Sequence, residues 1–265
     1  MDLTEHLEKF SPERETDRIE EFLIQKRSEI GFDRAVIGLS GGLDSSITAV
    51  LAERALSKEN MEIVFLPETT TPRRDWDDVD LLEREFNLIV RVIEIDEFVS
   101  TFKKKMSELS ELTKANFKPR IRMTLLYAIA NQNNGLVVGT GNLSEWLLGY
   151  FTKYGDGAAD LAPLNHLFKT ETRKLARFLD IPEAIISKPP SAGLWEGQTD
   201  EDELGGTYDE IDEVLYCNHE LDFSLEETKR AVELAPEFVS HVYDLVEKST
   251  HKRKPPPDLA RPQTG

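Results

Sequence analysis

Ser40, Gly41, Gly42 and Ser45, inside the stretch SGGLDSS, are residue types that hold a phosphate. An apolar run with Val36, Ile37 and Leu39 precedes them, and an amphipathic stretch opens at Leu43. Paired glycines turn the backbone tightly and leave N–H groups uncovered, and a helix starting there adds the positive end of its dipole. The same spacing also fits a plain glycine-rich connection between strand and helix. No GK[ST] follows and no GxGxxG is present, so neither a Walker loop nor a dinucleotide fingerprint is at hand. Asp44 is the odd member. A carboxylate beside a phosphate is favourable only with a cation between them, and Mg²⁺ takes one or two carboxylates plus substrate phosphates. Asp44 therefore predicts Mg²⁺ and a second acid nearby. Ligands of doubly wound sheets sit at the carboxyl ends of the strands. There, GTGNLSEWLLG after the fourth strand offers Glu145, which by position alone is equally a surface acid at a helix start.

Such groups need a scaffold that brings strand ends together. Four short apolar runs, 35–39, 63–66, 88–95 and 136–138, alternate with helical patterns. That alternation predicts an α/β fold, a doubly wound, mostly parallel sheet with helices on both faces. Ser11-Pro12-Glu13 opens a helix over 12–30, carrying Ile19, Phe22, Leu23 and Ile30 on its apolar face. Past residue 150 the period is lost. FTKYGDGAADLAPLNH and SKPPSAGLWEGQTDEDELGG read as long loops, which in a compact domain serve function or are disordered. Helices over 170–179, 208–216, 224–233 and 236–248 complete the core. HKRKPPPDLARP reads as a basic, proline-rich tail over 251–265. With no repeat and no linker, residues 1–265 read as one domain.

The net charge of −18 disfavours nucleic acid, whose phosphates would be repelled. It serves solubility, or alternatively adaptation to high salt, although lysine is not depleted. A single cysteine, Cys217, excludes a disulfide framework and a zinc cluster and suggests a reducing interior. No apolar run approaches the ~18 residues of a membrane span, and MDLTEHLEKF lacks a signal-peptide core. A cytoplasmic location is the expectation.

SGGLDSS resembles the pyrophosphatase-type loop of N-type ATP pyrophosphatases, whose fold is the adenine nucleotide alpha-hydrolase type. GTGNLSE, FTKYGDGAADLAPL, KPPSAGLW, DELGGTYDEID and HKRKPPP together are similar to the ammonia-dependent NAD⁺ synthetases, from about residue 12 onward. The resemblance implies a ligase that adenylylates the nicotinate carboxylate of deamido-NAD⁺ with ATP, releases pyrophosphate, and lets ammonia displace AMP. It gives ATP the residues Gly38, Leu39, Ser40, Gly41, Gly42, Leu43, Asp44 and Ser45, with Thr140, Lys169 and Ser191. Asp44 and Glu145 take Mg²⁺ under it, and Asp44 and Lys169 are the catalytic pair. Arg120, Lys153, Asp160, His251 and Lys252 meet deamido-NAD⁺. Family members are homodimers with the dinucleotide between subunits, and the helices over 12–30 and 124–134 are candidate interface elements. Asp156 lies in the motif without an assigned role.

Read singly, these residues mean less. Arg120, Lys153 and Lys169 would be solvated cations, 251–254 a basic tail, and Asp160 a turn or cap. Thr70, Thr71, Arg73 and Arg74 stand where hydroxyls and charge face a nucleotide crevice, without a fixed role. KPRIRM would suggest RNA, which the overall charge opposes. Glutamine hydrolysis requires a catalytic cysteine in a further domain, so the expected nitrogen source is free ammonia or a separate ammonia-donating subunit. A sister ligase, such as a GMP synthetase or a tRNA-thiolation enzyme, would lack FTKYGDGAAD or carry more cysteines. A regulator that holds ATP without catalysis would lack one of the two acids. Asp44→Asn is expected to cut turnover by orders of magnitude and leave the fold intact, and loops 152–164 and 191–207 are expected to be poorly ordered without ligand and to close over the acyl-adenylate.

Overall fold

In chain order the elements are α1 (Leu3–Lys9), α2 (Pro12–Ile30), β1 (Arg34–Gly38), α3 (Leu43–Leu56), β2 (Met61–Phe65), α4 (Arg73–Phe86), β3 (Val90–Val92), α5 (Asp96–Lys105), α6 (Glu111–Ala115), α7 (Phe117–Gln132), β4 (Gly135–Val138), α8 (Leu143–Leu148), α9 (Lys169–Phe178), α10 (Glu183–Ile186), α11 (Asp200–Leu204), α12 (Tyr208–His219), α13 (Leu225–Ala231), α14 (Pro236–Lys248) and α15 (Thr250–Arg253). The computed structural model describes residues 2–191, 193 and 197–259.

The apolar runs become a four-stranded, all-parallel sheet in the order β3-β2-β1-β4. In β1, Ile37 pairs with Ile63 on one side and with Val138 on the other. Ala35, Val36 and Ile37 are completely buried, as a strand covered on both faces requires. One face packs on α2, α3 and α9 through Leu23, Ile47, Leu51 and Leu175. The other packs on α5 and α7 through Val36, Val64, Val99 and Ile129. A third core, around Tyr208, Ile211, Leu215 and Val239, joins α1, α8, α12 and α14 beyond the sheet.

Local chemistry sets the boundaries. Ser11 caps α2 by accepting the Arg14 N–H, Pro12 occupies its first turn, and Gly31 ends it at φ 78°. Leu88–Ile95 contracts to Val90–Val92, an edge strand with two exposed residues out of three. Three polar stretches gained helices that periodicity does not signal. Asp2 caps α1. Thr199 and Gly205, at φ 79°, cap α11 inside the second long loop. The supposed tail begins with α15. Positions 192 and 194–196 of that loop and 260–265 of the tail lie outside the described residues.

Two features orient the site. The loop between β1 and α3 leaves the carboxyl end of the central strand. Helix α7 finishes just before β4 begins, so it runs back along the sheet and its first turns stand at those same carboxyl ends.

Candidate functional site

The loop SGGLDSS holds its shape with its own hydroxyls. Ser45 Oγ accepts the Ser40 N–H at 3.1 Å, Ser40 Oγ accepts the Gly42 N–H at 3.2 Å, and Ser46 Oγ donates to Gly42 O at 2.7 Å. Gly41 sits at φ 76°, and a Cβ there would fall 2.8 Å from Asp75 O. Only glycine fits, for both backbone and space. Gly38 ends β1, the Leu39 N–H bonds Val64 O, and Leu43 opens α3.

Asp44, in the first turn of α3, is nearly buried. Its Oδ2 accepts from Lys169 Nζ at 2.5 Å and from Asn142 Nδ2 at 3.2 Å. Its Oδ1 is buried and has no hydrogen-bond partner among the described residues. Glu145 reaches the same lysine, Oε1 to Nζ, at 3.6 Å. Three residues widely separated in sequence thus converge beside the phosphate loop. Burial pushes the Glu145 carboxyl up to about 8; Lys169 opposes this, and Asp44 and Asp200 add to it. Burial works against the charge on Lys169, but Asp44, Glu145 and Asp200 outweigh it and hold the ammonium above the usual lysine range. The lysine also lies 5.4 Å from the Tyr208 ring centre.

The supports of these groups escaped the sequence reading. Asn142 and Glu145 form a capping box on α8, so the side chain that faces Lys169 also caps its own helix. Asp212, fully buried on α12, accepts from Ser144 Oγ at 2.5 Å and from the Thr170 N–H at 2.9 Å. Ser144 Oγ in turn accepts the Lys169 N–H at 2.9 Å. One carboxylate thereby ties the N-termini of α8 and α9. Burial pushes it up to about 7 against the pull of those two bonds. TYDEID was visible as a motif, but which of its acids points inward was not. Lys188, also missed, spans Asp75 at 2.5 Å, Asp78 at 2.7 Å and Gly41 O at 3.2 Å, bracing the loop from outside.

A second group gathers around the 149–156 turn. The Arg120 guanidinium donates to Lys153 O at 3.3 Å, and Lys153 Nζ donates to His251 O at 2.8 Å. Lys252 Nζ donates to Gly149 O and Phe151 O, and Arg253 bonds Trp146 O, Leu147 O and Val246 O. Residues 251–253 are thus packed against the turn rather than forming a solvated tail. Asp156 caps the Thr152 N–H at 3.0 Å. Asp160 lies apart: it accepts the Val137 N–H at 2.8 Å and the Tyr127 hydroxyl at 3.2 Å, closing the free edge of β4. Thr140 lines a pocket of about 160 Å³ with Asn142, Glu145, Trp146, Phe151 and Asp156. Ser191 is exposed, and its hydroxyl accepts the Gly193 N–H. Thr70 and Thr71 are spent on Glu68, Arg73 on Asp77 and Arg74 on Ala184 O.

The donor set fits magnesium. Asp44 Oδ1 is a buried oxygen with an open lone pair, and Glu145 supplies the second carboxylate. No cluster of three or more acids, histidines or cysteines suited to a metal exists among the described residues.

The NAD synthase family model matches residues 15–256. The chain is 44% identical over 248 residues to an NH3-dependent NAD⁺ synthetase of Thermoplasma volcanium, covering 94% of this chain and 98% of that one. It is 44% identical to the Methanopyrus kandleri protein of the same name, over 96% of this chain and 93% of the relative. Among solved structures, NMN synthetase from Francisella tularensis superposes with a TM-score of 0.82 at 35% identity, covering 97% and 100% of the two chains. NH3-dependent NAD synthetase from Campylobacter jejuni, in complex with nitrate, gives 0.81 at 31% identity, covering 95% and 100%.

Proposed function

The chain belongs to the NAD synthase family, and from that premise we infer that it is an NH3-dependent NAD⁺ synthetase, a ligase that uses ATP. Deamido-NAD⁺, ATP and ammonia are its substrates; NAD⁺, AMP and pyrophosphate are its products. The observation that carries the site assignment is the convergence of Asp44 and Glu145 on Lys169 beside the self-tied SGGLDSS loop.

The chemistry follows from charge. A carboxylate repels nucleophiles, so an oxygen of the nicotinate carboxylate first attacks the α-phosphorus of ATP and the bond to the β-phosphate breaks. Ammonia then attacks the acyl carbon, loses a proton, and AMP leaves with the bridging oxygen. The Ser40–Ser45 loop and the start of α3 hold the departing pyrophosphate on N–H groups and hydroxyls. Lys169 offers its ammonium to the reacting phosphate, and Asp44 and Glu145 keep it charged and in place. Magnesium held by Asp44 and Glu145 would neutralise charge on the triphosphate. Thr140 contributes on the ATP side. The Arg120, Lys153, His251 and Lys252 group takes the dinucleotide beside the 149–156 turn, and Asp160 meets it from the edge of β4, apart from that group. Residues 1–265 act as one catalytic unit that pairs as a homodimer and takes ammonia free or from a separate subunit. No helix of the described residues is long and apolar enough to cross a membrane.

Pyrophosphate release tests the reading. It is expected only when ATP, deamido-NAD⁺ and Mg²⁺ are all present, with NAD⁺ appearing upon addition of ammonium. Release driven by XMP, or none with any acid, would reject it. The likeness to NMN synthetase favours a second reading, with nicotinate mononucleotide as the acid. A kcat/KM higher for the mononucleotide than for the dinucleotide decides for it.

A further inference from the structure

Arg122 lies two residues beyond Arg120 on α7, about 200° around the helix from it. Its Nε donates to Leu66 O at 2.9 Å, just past the carboxyl end of β2. Leu126, one turn later on the same face of α7, comes within 3.2 Å of where a Cβ on Gly38 would stand. Gly38 is the last residue of β1. Because α7 runs back along the sheet, Arg122 sits roughly 6 Å further toward the strand ends than Leu126. That is the level of Leu39 and Ser40, where the phosphate loop begins.

The guanidinium is incompletely used. Nε is bonded, but neither Nη has a hydrogen-bond or ion-pair partner among the described residues. Other cations around the strand ends are paired: Lys118 with Glu68, Lys169 with Asp44, Lys188 with Asp75 and Asp78. Burial works against the charge on Arg122, while Glu68, Asp156 and Asp75 favour it from three other segments around the crevice. A half-buried guanidinium with its fork open is costly to keep unless an anion arrives to fill it.

We propose that Arg122 is a phosphate-binding catalytic residue: its two Nη groups bind phosphoryl oxygens of ATP opposite the Ser40–Ser45 loop and offset charge as the adenylyl group is transferred. The proposal rests on the ATP-dependent ligase reading and adds a residue to that site. The guanidinium is anchored at Leu66 O past the carboxyl end of β2, whereas Arg120, on the far side of the helix, bonds Lys153 O in the 149–156 turn.

The test uses the full chain with Arg122→Ala and Arg122→Lys, equilibrium binding of ATP and of adenosine, and steady-state rates. Arg122→Ala is expected to lower kcat/KM for ATP by about 10²- to 10³-fold, the scale of removing one preorganised transition-state donor. Arg122→Lys, which keeps the charge but not the fork, recovers part of that. Adenosine affinity and KM for deamido-NAD⁺ stay at wild-type values. Equal losses for ATP and adenosine would make the residue structural. A change confined to KM for deamido-NAD⁺ would assign the fork to the phosphates of the dinucleotide. Wild-type kinetics in both variants would overturn the proposal outright.

Losing the bond to Leu66 O could stop the variants folding, so the wild-type chain supplies a second measurement. Phenylglyoxal modification of Arg122, mapped by mass spectrometry, is expected to be blocked by ATP and by pyrophosphate but not by adenosine. Equal labelling with and without ATP would overturn the assignment. A chain whose Arg122 is shielded by ATP but which makes no NAD⁺ would refute the synthetase reading and leave the arginine's role standing.

Discussion

Asp44 was legible because its type is wrong for its place: an acid in an anion cradle demands a cation. What could not be read was that a lysine 125 residues away would pair with its other oxygen. Lys169 looks like any surface lysine in sequence, and only the fold buries it. The pairing revises one expectation. Asp44→Asn should still cut kcat by about 10²-fold or more, since charge stabilisation at the reacting phosphate is lost. It should also lower stability by up to about 3 kcal/mol, because a buried ammonium loses its nearest carboxylate and keeps only Glu145 at 3.6 Å and the more distant field of Asp200. Urea unfolding checks this. Adding Lys169→Met to Asp44→Asn should restore part of the lost stability without restoring turnover, and a double variant less stable than Asp44→Asn alone would refute the buried-pair argument. Arg120 and Arg122 teach the same lesson within one motif: two residues apart in sequence, they stand on opposite sides of a helix.

The elements were legible where periodicity and burial agree. Apolar runs marked all four strands, the exposed edge strand β3 included, and α2 and α14 follow their expected spans to the residue. Short polar helices were not legible, since α1, α11 and α15 have too few residues for a period and are held by caps and tertiary bonds instead. Nor was the joint between α8, α9 and α12, because it depends on one acid being driven inside. That acid makes a testable pH signature. The pKa of Asp212 in the fold, about 7, is above its value in the unfolded chain, so the fold favours the protonated form. The stabilisation Asp212 gives is therefore greatest at low pH, declines as pH rises through the interval up to about 7, and is flat above it. Comparing wild type with Asp212→Asn by urea unfolding, the wild-type advantage should shrink between about pH 4 and 7. An advantage that grows with pH would refute the assignment. The same variant should lower kcat about tenfold or more with little change in KM, since α8 and α9 carry Glu145 and Lys169 into place.

At the scale of the whole molecule, a net charge of −18 surrounds a site built for anionic substrates. Phosphate must be drawn in by local groups against the general field, so salt should help rather than hinder. Raising KCl from about 0.02 to about 0.2 M shortens the screening length severalfold and should speed ATP association, the reverse of a basic nucleotide-binding surface. Stopped-flow binding decides, and a rate that falls with salt would show that the local field dominates at long range. The closing turn of the chain has a practical side. Lys252 and Arg253 grip the carbonyls of residues 146–151, which lie directly beyond Glu145. Trimming back to residue 248 would pull out that clasp and is expected to leave a chain whose sheet still forms but whose turnover collapses, whereas removal of everything after residue 256 should be harmless. Anyone purifying the protein should therefore attach an affinity handle well past Pro257, or at the other terminus, and treat clipping by contaminating proteases as a hidden cause of dead preparations.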